Sequence, residues 1–227
     1  MGGWLADTLA MYGRVFRRAA ERLGRNWQVA LLAAAYLLAL GLLGGVLAPF
    51  GLVGGIVWTT ARAAACGSWL VFLEQVVRSG RANLRDLPTS FGTYFGDMLN
   101  IFFLLFLGQF VLLQFPFLFI LFLLVAFVFL NAVPEIVYLG RSSTMELLAE
   151  SYRFIGTNWI EWFPPNLVLI VVLAAVHASL PPSPFGIVRA AGVGFVLAYL
   201  FIMRGLLFLE LSTSSRRARE FRRRAAG

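Results

Sequence analysis

The sequence predicts an all-α protein, a polytopic transmembrane bundle of about six spans. The spans are arranged as three hairpins, with amphipathic interfacial helices on the cytoplasmic side. Three observations predict it. First, 60% of the residues are hydrophobic and only 13% are charged, whereas a soluble domain runs near half apolar and a quarter charged. Second, the apolar residues fall into runs close to the ~20 residues needed to cross about 30 Å of hydrocarbon. Third, arginine concentrates on alternate connections between those runs.

The elements follow in chain order. Residues 1–26 read as a cytoplasmic amphipathic helix, with an interfacial stretch from Leu9 to Leu23. Residues 27–211 form the membrane domain, with hairpins near 27–77, 98–139 and 166–211. The first span runs from about Trp27 to Leu47, and Pro49-Phe50-Gly51 breaks it. The second runs from Leu52 to Val77, the third from Met98 to Leu113, and the fourth from Phe117 to Leu139. The fifth is expected to start after Pro164-Pro165 and to end at Leu180, where Pro181-Pro182-Ser183-Pro184 closes the hairpin. The sixth runs from Phe185 to Leu211, and residues 212–227 form a basic cytoplasmic tail. Proline at the turns is expected because it cannot continue a helix. No cleavable leader is evident, so the first span is expected to act as an uncleaved anchor.

Orientation follows from arginine placement. All 19 basic residues are arginine, and only Arg62, Arg189 and Arg204 fall within the spans. The others precede span one, follow span six, or lie in the two-to-three and four-to-five connections. This predicts a bacterial inner-membrane protein with both termini in the cytoplasm. Topology accounts for the net charge of +8, so no nucleic-acid partner is expected. Arg216, Arg217, Arg219, Arg222, Arg223 and Arg224 are expected to attract anionic lipid, at about 1 kcal/mol each near the surface.

Three short segments resemble one another: Leu23-Gly24-Arg25-Asn26-Trp27, Phe91-Gly92-Thr93-Tyr94-Phe95 and Ile155-Gly156-Thr157-Asn158-Trp159. Each is expected at the start of a hairpin, after a short amphipathic helix. They read either as an internal repeat or as the shared chemistry of a membrane interface, where glycine and aromatic residues are common. Around the third copy, residues 131–162 read NAVPEIVYLGRSSTMELLAESYRFIGTNWIEW. A proline-kinked helix end, a Gly-x-Ser link and a Glu-x-Leu-x-x-Ser helix ending in Asn-Trp resemble bacterial six-helix membrane domains. These include the membrane domain joined to some glycerophosphodiester phosphodiesterases and its stand-alone relatives. The resemblance implies an accessory membrane module without the catalytic barrel.

Charges inside spans are costly and suggest function. Arg62, Glu74, Glu135, Arg204 and Glu210 are the candidates for a ligand or lipid site. Each even-numbered span carries one of the three glutamates near its cytoplasmic end. They are expected either to gather with the arginines into a headgroup or ion site, or to pair structurally and snorkel to water. Arg189 is expected to reach the outer headgroups, and His177, the only histidine, to be an interfacial polar residue. Asn131 with Pro134 is expected to satisfy backbone freed by a kink.

Small residues at four-residue spacing let helices approach closely. Gly41 and Gly45, Gly51 and Gly55, and Ala190, Gly194 and Ala198 therefore predict a tight core of spans one, two and six. The phenylalanine-rich third and fourth spans should face lipid or a protein partner. The single cysteine, Cys66, allows no disulfide within the chain. No metal, cofactor or catalytic motif is expected. The leading reading is a non-enzymatic membrane protein, an accessory or complex subunit in lipid handling or envelope maintenance. A small transporter or permease with a polar cytoplasm-facing site is the first alternative, and a lipid-acting membrane enzyme the second.

Overall fold

The computed structural model describes residues 2–140, 145–179 and 186–213. Among these there are helices and turns but no strand. Helix α1 (Gly2–Arg25) precedes α2 (Trp27–Leu47), and a 3-10 turn at Ala48–Phe50 leads into α3 (Gly51–Ser79). A second such turn at Leu84–Asp86 leads to α4 (Leu87–Ser90) and α5 (Phe95–Leu112). Then follow α6 (Pro116–Phe129), α7 (Val133–Leu139), α8 (Met145–Ser179) and α9 (Gly186–Thr213).

Among the described residues, five helical runs are long and apolar enough to cross a membrane, by length and composition. The first of them, Trp27–Ser79, is 53 residues long and doubles back at Ala48–Phe50. Pro49 starts that turn and Gly51 takes φ 53°, a left-handed value that suits a residue without Cβ. Cross-contacts show that α2 and α3 are antiparallel: Trp58 Nε1 donates to Leu40 O at 3.2 Å, and Trp69 Nε1 to Val29 O at 3.1 Å. The chain is therefore a multi-pass membrane protein, an all-α bundle whose five runs supply six passes.

Helix α2 shares its largest interface with α9, and α3 packs on α2, α5 and α9. Gly194 explains the closeness of α2 and α9: a Cβ there would lie 2.7 Å from Ala30 O and 2.9 Å from Ala34 N. Gly41 and Gly45, expected to play that part on α2, face open space instead. On α3, Gly55 packs against the Phe106 ring of α5. The core lies at the arginine-bearing end, from Met11 and Val15 of α1 through Leu70–Val77 to Leu200–Leu211. At the opposite end the helices expose their side chains, and Phe117 is 79% exposed.

Helix α1 is amphipathic in a simple way. Met11, Val15 and Ala19 are buried, while Arg14, Arg17 and Arg18 face outward. It lies across the arginine-bearing end. Arg22 Nη1 donates to Val76 O at 2.8 Å, and also to Val77 O, capping the last turn of α3. Asn26 closes the corner: its amide donates to Gly80 O at 2.9 Å and its oxygen accepts from Ala82 N at 2.8 Å.

Helix α8 corrects one expectation. The chain does not break at Pro164-Pro165 or at Gly156; α8 is one helix of 35 residues with both prolines inside it. Its length of about 52 Å at 1.5 Å per residue exceeds a bilayer core of about 30 Å. Pro165 has no N–H to give to Glu161 O, four residues back. Tyr12 of α1 supplies the missing donor, its hydroxyl reaching Glu161 O at 2.8 Å. A partner from another helix thus lets the helix continue through the prolines. The Pro181-Pro182-Ser183-Pro184 turn, Arg141 and the basic tail lie outside the described residues.

Candidate functional site

The buried charged groups among the described residues are Glu135 of α7, Glu161 of α8 and Arg204 of α9, and Arg204 meets Glu135. Glu135 lies in the first turn of α7, where Pro134 is tolerated because its missing N–H would be unpaired anyway. Arg204 Nε and Nη2 each reach a Glu135 carboxylate oxygen at 2.7 Å, a bidentate pair. The chain between α6 and α7 supplies the rest. Asn131 Oδ1 accepts from Trp162 Nε1 at 2.8 Å and from Arg204 Nη1 at 3.3 Å, and Asn131 O accepts from Arg204 Nη2. The guanidinium also lies 5.0 Å from the Trp162 ring centroid. Asn131 thus serves the arginine through both its side chain and its backbone, beyond the kink repair expected of it. The pair sits at the arginine-bearing end, since the neighbouring Gly205 abuts Val77 near the end of α3.

The other candidates do not join it. Glu74 accepts from Arg78 Nε at 2.9 Å and from the Tyr94 hydroxyl at 2.5 Å. Burial first, and then the bond to Glu74, raise the Tyr94 phenol above its ordinary range. Glu210 lies 3.7 Å from Arg14 of α1, with both side chains well exposed. Arg62 is held by rings: its guanidinium lies 4.0 Å from the Phe102 centroid and 5.0 Å from that of Trp58. No carboxylate pairs with it among the described residues. Of the two arrangements expected, the single cluster of three glutamates and two arginines is not formed, and Arg204 and Glu135 pair across helices instead. Only Glu135 and Arg204 meet, because the helices carrying the others present them to different neighbours.

Arg189 contacts His177 across α8 and α9 at the far end of the bundle. The six arginines of the tail lie outside the described residues. Among the described residues no three His, Cys, Asp or Glu side chains could hold a metal together.

Sequence reasoning missed a buried polar stripe on α8. Ser151, Asn158, Glu161, Trp162 and Asn166 are all buried, Asn166 at 1% exposure. Ser151 and Asn158 are seven residues apart, and Asn158, Glu161 or Trp162, and Asn166 follow at three to five, which places them along one side of a helix. The signal was present, but reading Pro164-Pro165 as a break divided the stripe. Asn158 Nδ2 donates to Phe154 O at 3.1 Å and Asn166 Nδ2 to Trp162 O at 2.5 Å.

The outward face of α8 forms a cleft with the end of α6, about 430 Å³ in volume. Phe129, Tyr152, Arg153, Gly156, Trp159 and Phe163 are among its lining residues. A smaller polar cleft of about 370 Å³ lies beside Arg25, Gln28 and Arg81. Neither includes Arg62 or Glu74.

No family model, no curated protein and no solved structure matches this chain.

Proposed function

We propose that this membrane protein is non-enzymatic and serves as an accessory or complex subunit in lipid handling or envelope maintenance. One observation carries the proposal. Helix α5 packs on α3, but the outward faces of α5 and α6 expose many large apolar side chains, including Phe103, Phe110, Phe115, Phe117 and Phe127. Such a surface suits lipid or the membrane helices of a partner. The buried charges Arg204 and Glu135 answer each other within the fold, which fits a structural role for them. The likeness of residues 131–162 to bacterial six-helix accessory domains supports the same reading. The inner membrane, with both termini cytoplasmic, is part of this proposal and rests on the arginine bias.

The test is purification of the tagged full chain in a mild detergent, followed by mass spectrometry for protein and lipid. Recovery of a stoichiometric membrane partner or of retained phospholipid is expected. A chain recovered alone and free of lipid would overturn the proposal.

The permease reading is favoured by Arg62, a cation within a span that rests on aromatic rings. It requires water at that depth. Cys66 lies one turn along α3 from Arg62 and reports on it. Labelling of Cys66 by a membrane-impermeant thiol reagent in sealed vesicles would favour the permease; absence of labelling favours the accessory subunit.

A further inference from the structure

Tyr152, Gly156, Trp159 and Phe163 follow one another at helical spacing along the exposed face of α8. The glycine stands between aromatic side chains and leaves a slot. A Cβ on Gly156 would meet nothing within 4 Å, so no neighbouring helix requires a glycine there. Glycine inside a helix costs roughly 0.5–1 kcal/mol relative to alanine. The end of α6 forms the opposite wall, with the Phe129 ring 5.1 Å from Tyr152 and Phe127 6.3 Å from Phe163.

Arg153 lies on the rim of this slot and makes no salt bridge among the described residues. The Thr157 hydroxyl donates to Arg153 O at 2.8 Å, which leaves its oxygen able to accept. Ser151 Oγ donates to Phe129 O at 2.6 Å and ties the two walls together. The cleft is near the level of Trp162, Asn131 and Arg204, at the arginine-bearing end. Exposed tyrosine and tryptophan with an arginine at such a level are characteristic of the membrane–water interface.

We propose that this cleft binds the headgroup of an anionic phospholipid. The phosphate sits on Arg153, a headgroup hydroxyl donates to Thr157 Oγ1, and the glycerol and chain roots lie between Trp159, Phe163 and Phe129. The inference deepens the lipid side of the function proposed above.

The test uses the full chain purified in detergent and equilibrated with phosphatidylglycerol, phosphatidylcholine or both. Retained lipid is counted by native mass spectrometry. The native chain should prefer phosphatidylglycerol. Arg153→Gln should reduce that retention about fivefold, the weight of ~1 kcal/mol carried by one arginine near an anionic surface. Gly156→Leu should fill the slot and also reduce it, with a melting temperature no lower than that of the native chain. Arg17→Gln, at an exposed site paired with Glu21, should leave retention unchanged. Equal retention by Arg153→Gln and the native chain, or equal retention of the two lipids, would overturn the proposal. Displacement of phosphatidylglycerol by millimolar inorganic phosphate would overturn the lipid assignment. None of these outcomes affects the search for a protein partner, so the two proposals fail separately.

Discussion

Arg204 shows why a charge within a span need not be a binding group. Its donors go to the Glu135 carboxylate, the Asn131 side chain and the Asn131 carbonyl. Removing one member of such a pair leaves the other charge buried and unanswered, at a cost of about 3–5 kcal/mol. Replacing both members by apolar groups is often close to neutral. Arg204→Met and Glu135→Gln should therefore each lower the melting temperature in detergent strongly. The double variant Arg204→Met/Glu135→Leu should recover most of that loss. If each single variant melted like the native chain, the pair would carry no structural weight. The presence of both charges was legible in the sequence. Their pairing was not, because they stand 69 residues apart and nothing local indicates which glutamate an arginine will meet.

At the scale of elements, α8 and α1 depend on each other. Pro164 and Pro165 would ordinarily end a helix, and α8 runs through them with the help of Tyr12. Burial, and then the charge of Glu161, push the Tyr12 phenol from 10.0 up to about 12. The sign follows from a raised acid. The docked phenol keeps its proton after the freed one has lost it, so its contribution is complete below pH 10 and fades as pH rises toward 12. The native chain should lose stability over that window, read as melting temperature against pH. Tyr12→Phe should show a shallower loss there. At neutral pH it should also be weaker by roughly 0.5–1.5 kcal/mol, the value of one hydrogen bond. A pH profile of Tyr12→Phe that overlays the native one would remove Tyr12 from this role. Sequence periodicity revealed the amphipathic face of α1, because that face is local; what it docks on depends on a carbonyl exposed by prolines about 150 residues away.

Across the whole molecule, the packed core and the arginines share one end, and the hairpin ends at the other expose apolar side chains. The proposed orientation has a direct consequence. In a Cys66→Ala background, a cysteine at Asn83 should react with impermeant reagent only from the cytoplasmic face. A cysteine at Phe50, in the Ala48–Phe50 turn, should react only from the opposite face. Both sites reacting from the same side would contradict the antiparallel α2–α3 hairpin itself, and a reversed pattern would invert the proposed topology.

The sequence by itself determined the class, the number of passes and the end that carries the charge. These depend on hydropathy summed over some 20 residues and on arginine counts, quantities that do not require knowing any neighbour. It also marked α9 as a close-packing helix, through Ala190, Gly194 and Ala198 at four-residue spacing. Only the tertiary structure decided which glycine permits the approach, Gly194 in place of Gly41 or Gly45. It likewise decided that α8 is continuous, that Glu135 rather than Glu74 or Glu210 answers Arg204, and that Gly156 opens onto a cleft. Each of these is a contact between residues far apart in the chain. Its geometry is set by the packing of helices against one another, and no local pattern of residues records it.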